Sequence, residues 1–490
     1  MLPISLIVSI GVGFAAIRVC LPEVRRRPGW TVFLLMASLS AGLGVAITSL
    51  TYFLLLLSAS YGRVPVIAAE ALLCAGLIVI ATRRRAVAAD GPRPVPATTL
   101  VWWNRFLALA LCVEAALVAA AFFESSSANP FGGWDAFGIW NLRARFLAGD
   151  GESWRNAVSP LLVHTHPDYP LLLSGFIARC WKWTGAVSQA APISAAFLFL
   201  FATAGLMVST ISLCRGASAG LLAGLVLLAS PPFASQAAMQ YADIPLAFYM
   251  LASLSLLVLA GAGGIPGRTA VALAGACASL AAWTKNEGLL FIGVLSAAYL
   301  AVEGFGGGWR RALKLELLFL LGAAPVLLLT LYFKHSIAPA ADTLVTQPLS
   351  DAMARLSEAD RFARIARAFW TEARLFGVGW YHPGVAVVIL AAALRFRLSP
   401  PERRWAALAG LTLAGVLAGY FGIYLVTPAD LEWHLSTSLG RLLVQVWPSA
   451  LLLAFVVFRP IEDGARQTNR RETNLPMRFK TKKRRDLTGG

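Results

Sequence analysis

The chain has 490 residues, of which 58% are hydrophobic and 14% charged, with a mean hydropathy of +0.68 and a formal net charge of +17. An ordinary soluble domain carries about 25% charged residues, so this composition excludes one and predicts an all-α polytopic membrane protein. The surplus of Lys and Arg lies in short loops and a C-terminal tail, where it sets membrane topology and argues against nucleic acid as a partner.

Taken in order, apolar runs of about 20 residues predict thirteen spans. They lie near 3–20, 30–57, 64–81, 104–122, 191–213, 217–233, 242–261, 269–284, 289–304, 312–333, 380–395, 404–425 and 442–458. The first run has no basic residues ahead of it and reads as a retained span. With thirteen spans, the basic groups at Arg25–Arg27, Arg83–Arg85, Arg215, Arg268, Arg310 with Arg311, and Arg395 through Arg404 all share one side, the cytoplasmic one. The tail from Arg459 to Gly490 then also falls inside. It holds ten Lys or Arg against four Asp or Glu, and is either a topology anchor or a contact for anionic membrane lipids. The six Cys are scattered without CxxC or metal-like spacing.

The opposite side receives two long loops, 123–190 and 334–379, and several short connections. The first loop reads GGWDAFGIWNLRARF from Gly132, with Asp135 directly after Trp134 and with Phe137, Trp140 and Phe146 at roughly helical spacing. Such a segment is expected to lie along the interface with its aromatics at headgroup depth. Further on, HTHPDYP gathers His164, His166, Asp168 and Tyr169, with Pro167 and Pro170 stiffening the turn. These residue types suit either a divalent metal or a hydrogen-bonded turn.

The next outer connection, MQYADIPLAFY, sets Asp243 at the mouth of a span, as a substrate-facing carboxylate or as a helix cap. WTKNEG then packs Lys285, Asn286 and Glu287 between two spans, and TPADLEWHLSTSLGR presents Asp430, Glu432, His434 and Arg441. Arg441 stands on the outer side against the positive-inside trend, so it either pairs with a carboxylate or receives an anion.

This constellation resembles the GT-C superfamily of integral membrane glycosyltransferases, near the family 39 protein mannosyltransferase and lipid A aminoarabinose transferase branch. That family carries a catalytic Asp in the first long external loop, directly after a span, and a second acidic residue in the next external connection. Asp135 in WDAFGIWNLRARF and Asp243 in YADIPLAF match those positions. The resemblance covers roughly 104–333, a seven-span module. It leaves an N-terminal extension over 1–103, a C-terminal membrane part over 334–458 and the basic tail over 459–490.

The resemblance implies a glycosyltransferase of the bacterial inner membrane with its active site facing the periplasm and its C-terminus in the cytoplasm. The donor is a polyprenyl-phosphate sugar, and the acceptor a hydroxyl of a lipid, glycan or protein. Asp135 is the expected general base. Lys285 and Arg441 are the expected phosphate-binding cations, and Trp134, His166, Asp168, Tyr169, Glu287 and His434 the expected substrate contacts. No cofactor is implied, beyond a divalent metal that the His and Asp residues leave open. A transporter or flippase of lipid-linked glycans is the alternative; it calls for charges within spans and a repeat between halves.

Overall fold

The computed structural model describes residues 1–490 except 23–28, 85–100, 163–164, 266, 341–346, 378–380, 395, 397 and 459–490. The expectations for Arg25–Arg27, Arg85, His164, Arg395 and the basic tail fall outside the described residues.

Regular structure among the described residues is helical, which satisfies backbone N–H and C=O groups within the segment where a membrane offers no water. The elements are α1 (Leu2–Cys20), α2 (Trp30–Leu57), α3 (Arg63–Arg83), α4 (Val101–Ala128), a π-helix (Ala136–Asn141), α5 (Leu142–Leu147), a 3₁₀ segment (Gly151–Val158), α6 (Leu172–Thr184), α7 (Ala190–Arg215), α8 (Ala217–Leu228) and α9 (Pro231–Ala238). There follow α10 (Asp243–Gly261), α11 (Gly267–Thr284), α12 (Glu287–Gly307), α13 (Trp309–Ser336), α14 (Leu349–Leu356), α15 (Ala359–Leu375), α16 (Pro383–Leu394), α17 (Pro400–Val426) and α18 (Leu431–Val457). No strand is present among the described residues.

Ten of these helices are long and apolar enough to cross a membrane, or eleven counting α8 with α9, which are bent by 60° at Ala229–Ser230. Two of the thirteen expected spans fall short of that standard. Helix α16 has 12 residues, about 18 Å of helix against a hydrocarbon core of about 30 Å. Helix α11 has 18 residues rich in Ala, Gly, Ser and Thr, which dilute its hydropathy. Those small residues serve packing instead. A Cβ at Gly275 would meet the Phe319 carbonyl oxygen at 1.9 Å, so α11 and α13 run backbone against backbone.

Contacts at the helix ends sort the bundle into two faces. At one, Arg84 after α3 donates to the Val19 carbonyl of α1, Arg215 of α7 pairs with Glu402 of α17, and Arg404 donates to the Gly306 carbonyl of α12. Trp405 packs on Gly261 of α10, and Phe396 bridges to Phe458, joining the ends of α16 and α18. At the other face, Lys285 after α11 reaches Asp243 at the start of α10, and Lys334 near the end of α13 reaches Asn286 before α12. Arg84, Arg215 and Arg404 therefore sit at the end opposite Asp243, Lys285 and Lys334.

The first outer loop departs from the sequence expectation. Trp134 and Phe137 are exposed at 62% and 64%, but Trp140 is 1% exposed and belongs to the core. The segment does not lay all its aromatics on one face, because its first turns are π-helical and shift the angular spacing of the residues that follow. Beyond it, α6 buries eleven of its residues, so much of this loop is a packed element of the bundle.

Candidate functional site: a chain of alternating charges

Two outer connections are clasped together where the site begins. The Gly133 N–H donates to the Met239 carbonyl at 3.0 Å, and Gln240 Nε2 donates to the Pro130 carbonyl at 3.2 Å. Gly132 has φ +73° and Gln240 φ +59°, and a Cβ on Gly132 would sit 2.6 Å from the Met239 oxygen. Glycine at 132 is thus required both for its left-handed backbone and for the close approach. This clasp fixes Asp135, at the head of the π-helix, beside Asp243, the first residue of α10.

Arg441 joins the two carboxylates from α18. Its Nη2 donates to Asp135 Oδ2 at 2.5 Å and to Asp243 Oδ2 at 3.1 Å, while its Nε donates to the same Asp243 oxygen at 3.2 Å. Lys285 approaches from the other side, with Nζ 3.0 Å from Asp243 Oδ1 and 2.7 Å from Glu287 Oε1. The order Asp135, Arg441, Asp243, Lys285, Glu287 therefore alternates in sign along its whole length. It draws together segments up to 306 residues apart in sequence.

Asp243 is the closed centre of this chain. It is fully buried, and Gln445, one turn beyond Arg441 on α18, adds its side-chain amide to Oδ1. Both oxygens thus carry donors, which is how a charge can be kept out of water. Lys285 is buried too: burial pushes its ammonium down, the Asp243 and Glu287 carboxylates push it up, and the carboxylates prevail. The ends are open by contrast. Asp135 is engaged through Oδ2 alone, and its side chain is 17% exposed. Among the described residues Arg441 Nη1 meets no acceptor, and its guanidinium lies 4.7 Å from the centre of the Tyr241 ring.

The remaining expected residues form a wall beside the chain. His166 stacks on Tyr169 at 4.7 Å, and Tyr169 stacks on Trp140 at 5.7 Å. Lys285 Nζ lies 5.9 Å over the Tyr169 ring. Burial holds the His166 imidazole below its usual range, and burial with the Glu287 and Asp168 charges raises the Tyr169 phenol well above its own. Asp168 accepts from Asn286 Nδ2 at 2.7 Å and lies 3.5 Å from Lys334 Nζ. Over its described residues, 165–170, the segment is a hydrogen-bonded turn, with the Tyr169 N–H donating to the His166 carbonyl at 2.9 Å, and among the described residues no three His, Cys, Asp or Glu are grouped to hold a metal ion.

His434 and Trp134 stand further out. His434 Nδ1 is 3.0 Å from Thr427 Oγ1 and its ring meets Tyr424 edge-on at 4.9 Å, within electrostatic reach of His166 and Glu287. Trp134 lies over Gly138, where a Cβ would be 1.8 Å from the indole.

Sequence reasoning missed three residues here. Arg143, fully buried, donates to the carbonyls of Ala157, His166 and Pro167, and so holds His166 at φ +46°. Its signal was an Arg in the aromatic-flanked WNLRARF. Gln445 could have been found as the residue one turn after Arg441 on the same helix face. Lys334, which donates to Asn286 Oδ1 at 2.7 Å, gave no signal beyond its place at a span end. No protein-family model, no curated protein and no solved structure matches the chain.

Proposed function

We propose that the protein is a membrane glycosyltransferase of GT-C type in the bacterial inner membrane, with the charge chain at its periplasmic face. The donor is a sugar on polyprenyl phosphate, and the acceptor is a hydroxyl. The observation that supports this most directly is the alternation of charge with open groups at Asp135 and Arg441 and a saturated centre at Asp243. A carboxylate with a free oxygen can take a proton, and an Arg with a free edge can take a phosphate oxygen.

In this mechanism the acceptor oxygen attacks the anomeric carbon while Asp135 takes the hydroxyl proton. The bond from that carbon to the phosphate oxygen breaks, and polyprenyl phosphate leaves with the bonding pair. Phosphate is a weak base, so the leaving group needs positive charge in place of a general acid, and Arg441 with Lys285 supplies it. Asp243 holds both cations and stays out of the proton transfer. One displacement inverts the anomeric centre.

The test is purified protein in nanodiscs with glycosyl farnesyl phosphate and a membrane extract as the acceptor source, following free farnesyl phosphate. Asp135→Asn keeps the side chain's size but not its basicity, and release should fall about 10²–10⁴-fold with thermal unfolding unchanged. Full activity in Asp135→Asn removes it as the base. If wild type binds the donor and releases nothing, while proteoliposomes translocate it, the protein is a transporter.

A further inference from the structure

The far end of the chain differs from Asp135 in one respect. Glu287 Oε1 accepts from Lys285 Nζ at 2.7 Å and lies 3.4 Å from Gln445 Nε2. Gln445 is itself fixed, because its Oε1 accepts the Tyr420 hydroxyl at 2.7 Å and its amide grips Asp243. The carboxylate is therefore held by one oxygen from two sides. Its other oxygen, Oε2, is buried and has no hydrogen-bond partner among the described residues. A buried carboxylate oxygen without a donor is costly and uncommon in native proteins. Asp243, a few ångströms away across Lys285, has both oxygens satisfied, so the fold can close a carboxylate here and leaves this one open.

We propose that Glu287 reads the donor's sugar: Oε2 accepts a hydrogen bond from a hydroxyl on the ring that is being transferred. The proposal rests on the transferase function above and names the part of the substrate that this carboxylate meets. Three features select a sugar hydroxyl. An anion is repelled by a carboxylate, and an apolar group leaves Oε2 unpaired. Lys285, assigned to the donor phosphate, is 2.7 Å from Oε1, and a sugar ring is joined directly to that phosphate. Finally, aromatic rings flank the groups that hold Glu287: Lys285 Nζ lies 5.9 Å over the Tyr169 ring, and the Tyr420 hydroxyl donates to Gln445. A few fixed polar groups among aromatic faces is how a pocket orients a polyhydroxylated ring.

The experiment measures binding without acceptor, by native mass spectrometry of the full chain. The probes are glucosyl and mannosyl farnesyl phosphate, their monodeoxy analogues, and farnesyl phosphate alone. Wild type should bind one intact glycosyl lipid about ten- to a hundredfold more tightly than the analogue lacking one particular hydroxyl. Glu287→Ala should lose that preference, binding the intact and deoxy lipids alike. It should bind farnesyl phosphate at least as well as wild type, because Lys285 is relieved of a competing carboxylate, and this also reports a folded site. Glu287→Gln keeps an accepting oxygen and should retain part of the preference, and it carries the test if the Ala variant does not fold.

The proposal is overturned if wild type binds no probe or ranks all deoxy analogues with their parents. It is equally overturned if Glu287→Ala keeps the wild-type preference, since Oε2 is then served by water. Preference without any release of farnesyl phosphate in the acceptor assay removes the transferase function and leaves Glu287 as a sugar reader. Release without preference removes the sugar reader alone.

Discussion

Two ionic assemblies lie within the outer half of the bundle, and they are built on opposite plans. In the first, Glu70 of α3 and Arg179 of α6 are both fully buried and joined by paired hydrogen bonds. Trp183 Nε1 donates to Glu70 Oε2 at 2.9 Å, and Arg179 Nη1 donates to the Ser5 carbonyl and hydroxyl at 3.0 Å. One anion meets one cation, and no charged atom is left open. In the second, three carboxylates meet two cations, and Asp135, Arg441 and Glu287 each keep an unused atom. Saturation separates a clamp from a working site. The clamp ties α6 to the N-terminal helices, and through α6 it steadies the loop that carries Asp135 and the His166–Tyr169 turn.

The comparison breaks most visibly at the clamp. Glu70→Ala leaves Arg179 buried without its partner, and losing one member of a buried pair costs about 3–5 kcal/mol. Thermal unfolding of the purified protein should show a loss of that order. Replacing both residues at once, as Glu70→Leu with Arg179→Met, should recover most of it, because a well-packed apolar pair can stand in for a buried ion pair. If the double variant is no better than the single one, the pair does more than hold helices together.

The residues of the charge chain were legible in the sequence, and those of the clamp were not. Asp135, Asp243, Lys285, Glu287 and Arg441 stand in the connections on one side of an alternating hydropathy pattern, so topology alone brought them to one face. What topology could not give is pairing: the contact between Asp135 and Arg441 crosses 306 residues. Glu70 sits inside the apolar run of α3 and Arg179 in a stretch too short to span, and neither position carries a sign of its partner. The same limit applies to the helices. The apolar run at 269–284 announced a span, but not that the small residues of α11 serve its close approach to α13. The π-helix at Ala136–Asn141 has no signature in AFGIWN, and it turned Trp140 inward against the expected aromatic face.

A smaller effect is expected where the second assembly is trimmed without being opened. Arg441→Lys keeps the charge, but one ammonium cannot hold Asp135 and Asp243 as the guanidinium does through Nε and Nη2. Farnesyl phosphate binding should weaken about tenfold, within the 1.5–3 kcal/mol typical of a charge-assisted hydrogen bond. Thermal unfolding should stay closer to wild type than that of Glu70→Ala, because Asp243 retains Lys285 and Gln445. A melting loss as large as the Glu70 variant's would mean that the charge chain is itself a clamp.

The smallest effect should come from Asp168, a carboxylate near the site that shares features of both plans. It is 4% exposed, like a clamp residue, but its cation is loosely held: Lys334 Nζ lies 3.5 Å from Oδ2 and donates at 2.7 Å to Asn286 Oδ1 instead. Asp168→Asn preserves an oxygen to accept from Asn286, and Lys334 keeps both Asn286 and the Asp168 backbone carbonyl, 3.3 Å away. What is lost is one long ion pair, about 0.5–1.5 kcal/mol in net terms. Release of farnesyl phosphate should therefore slow about two- to tenfold, and the double variant Asp168→Asn with Lys334→Ala should be no worse than Lys334→Ala alone. A fall of a hundredfold or more in Asp168→Asn would put Asp168 with Asp135 among the carboxylates that meet the reacting atoms, and the turn around His166 would then belong to the site.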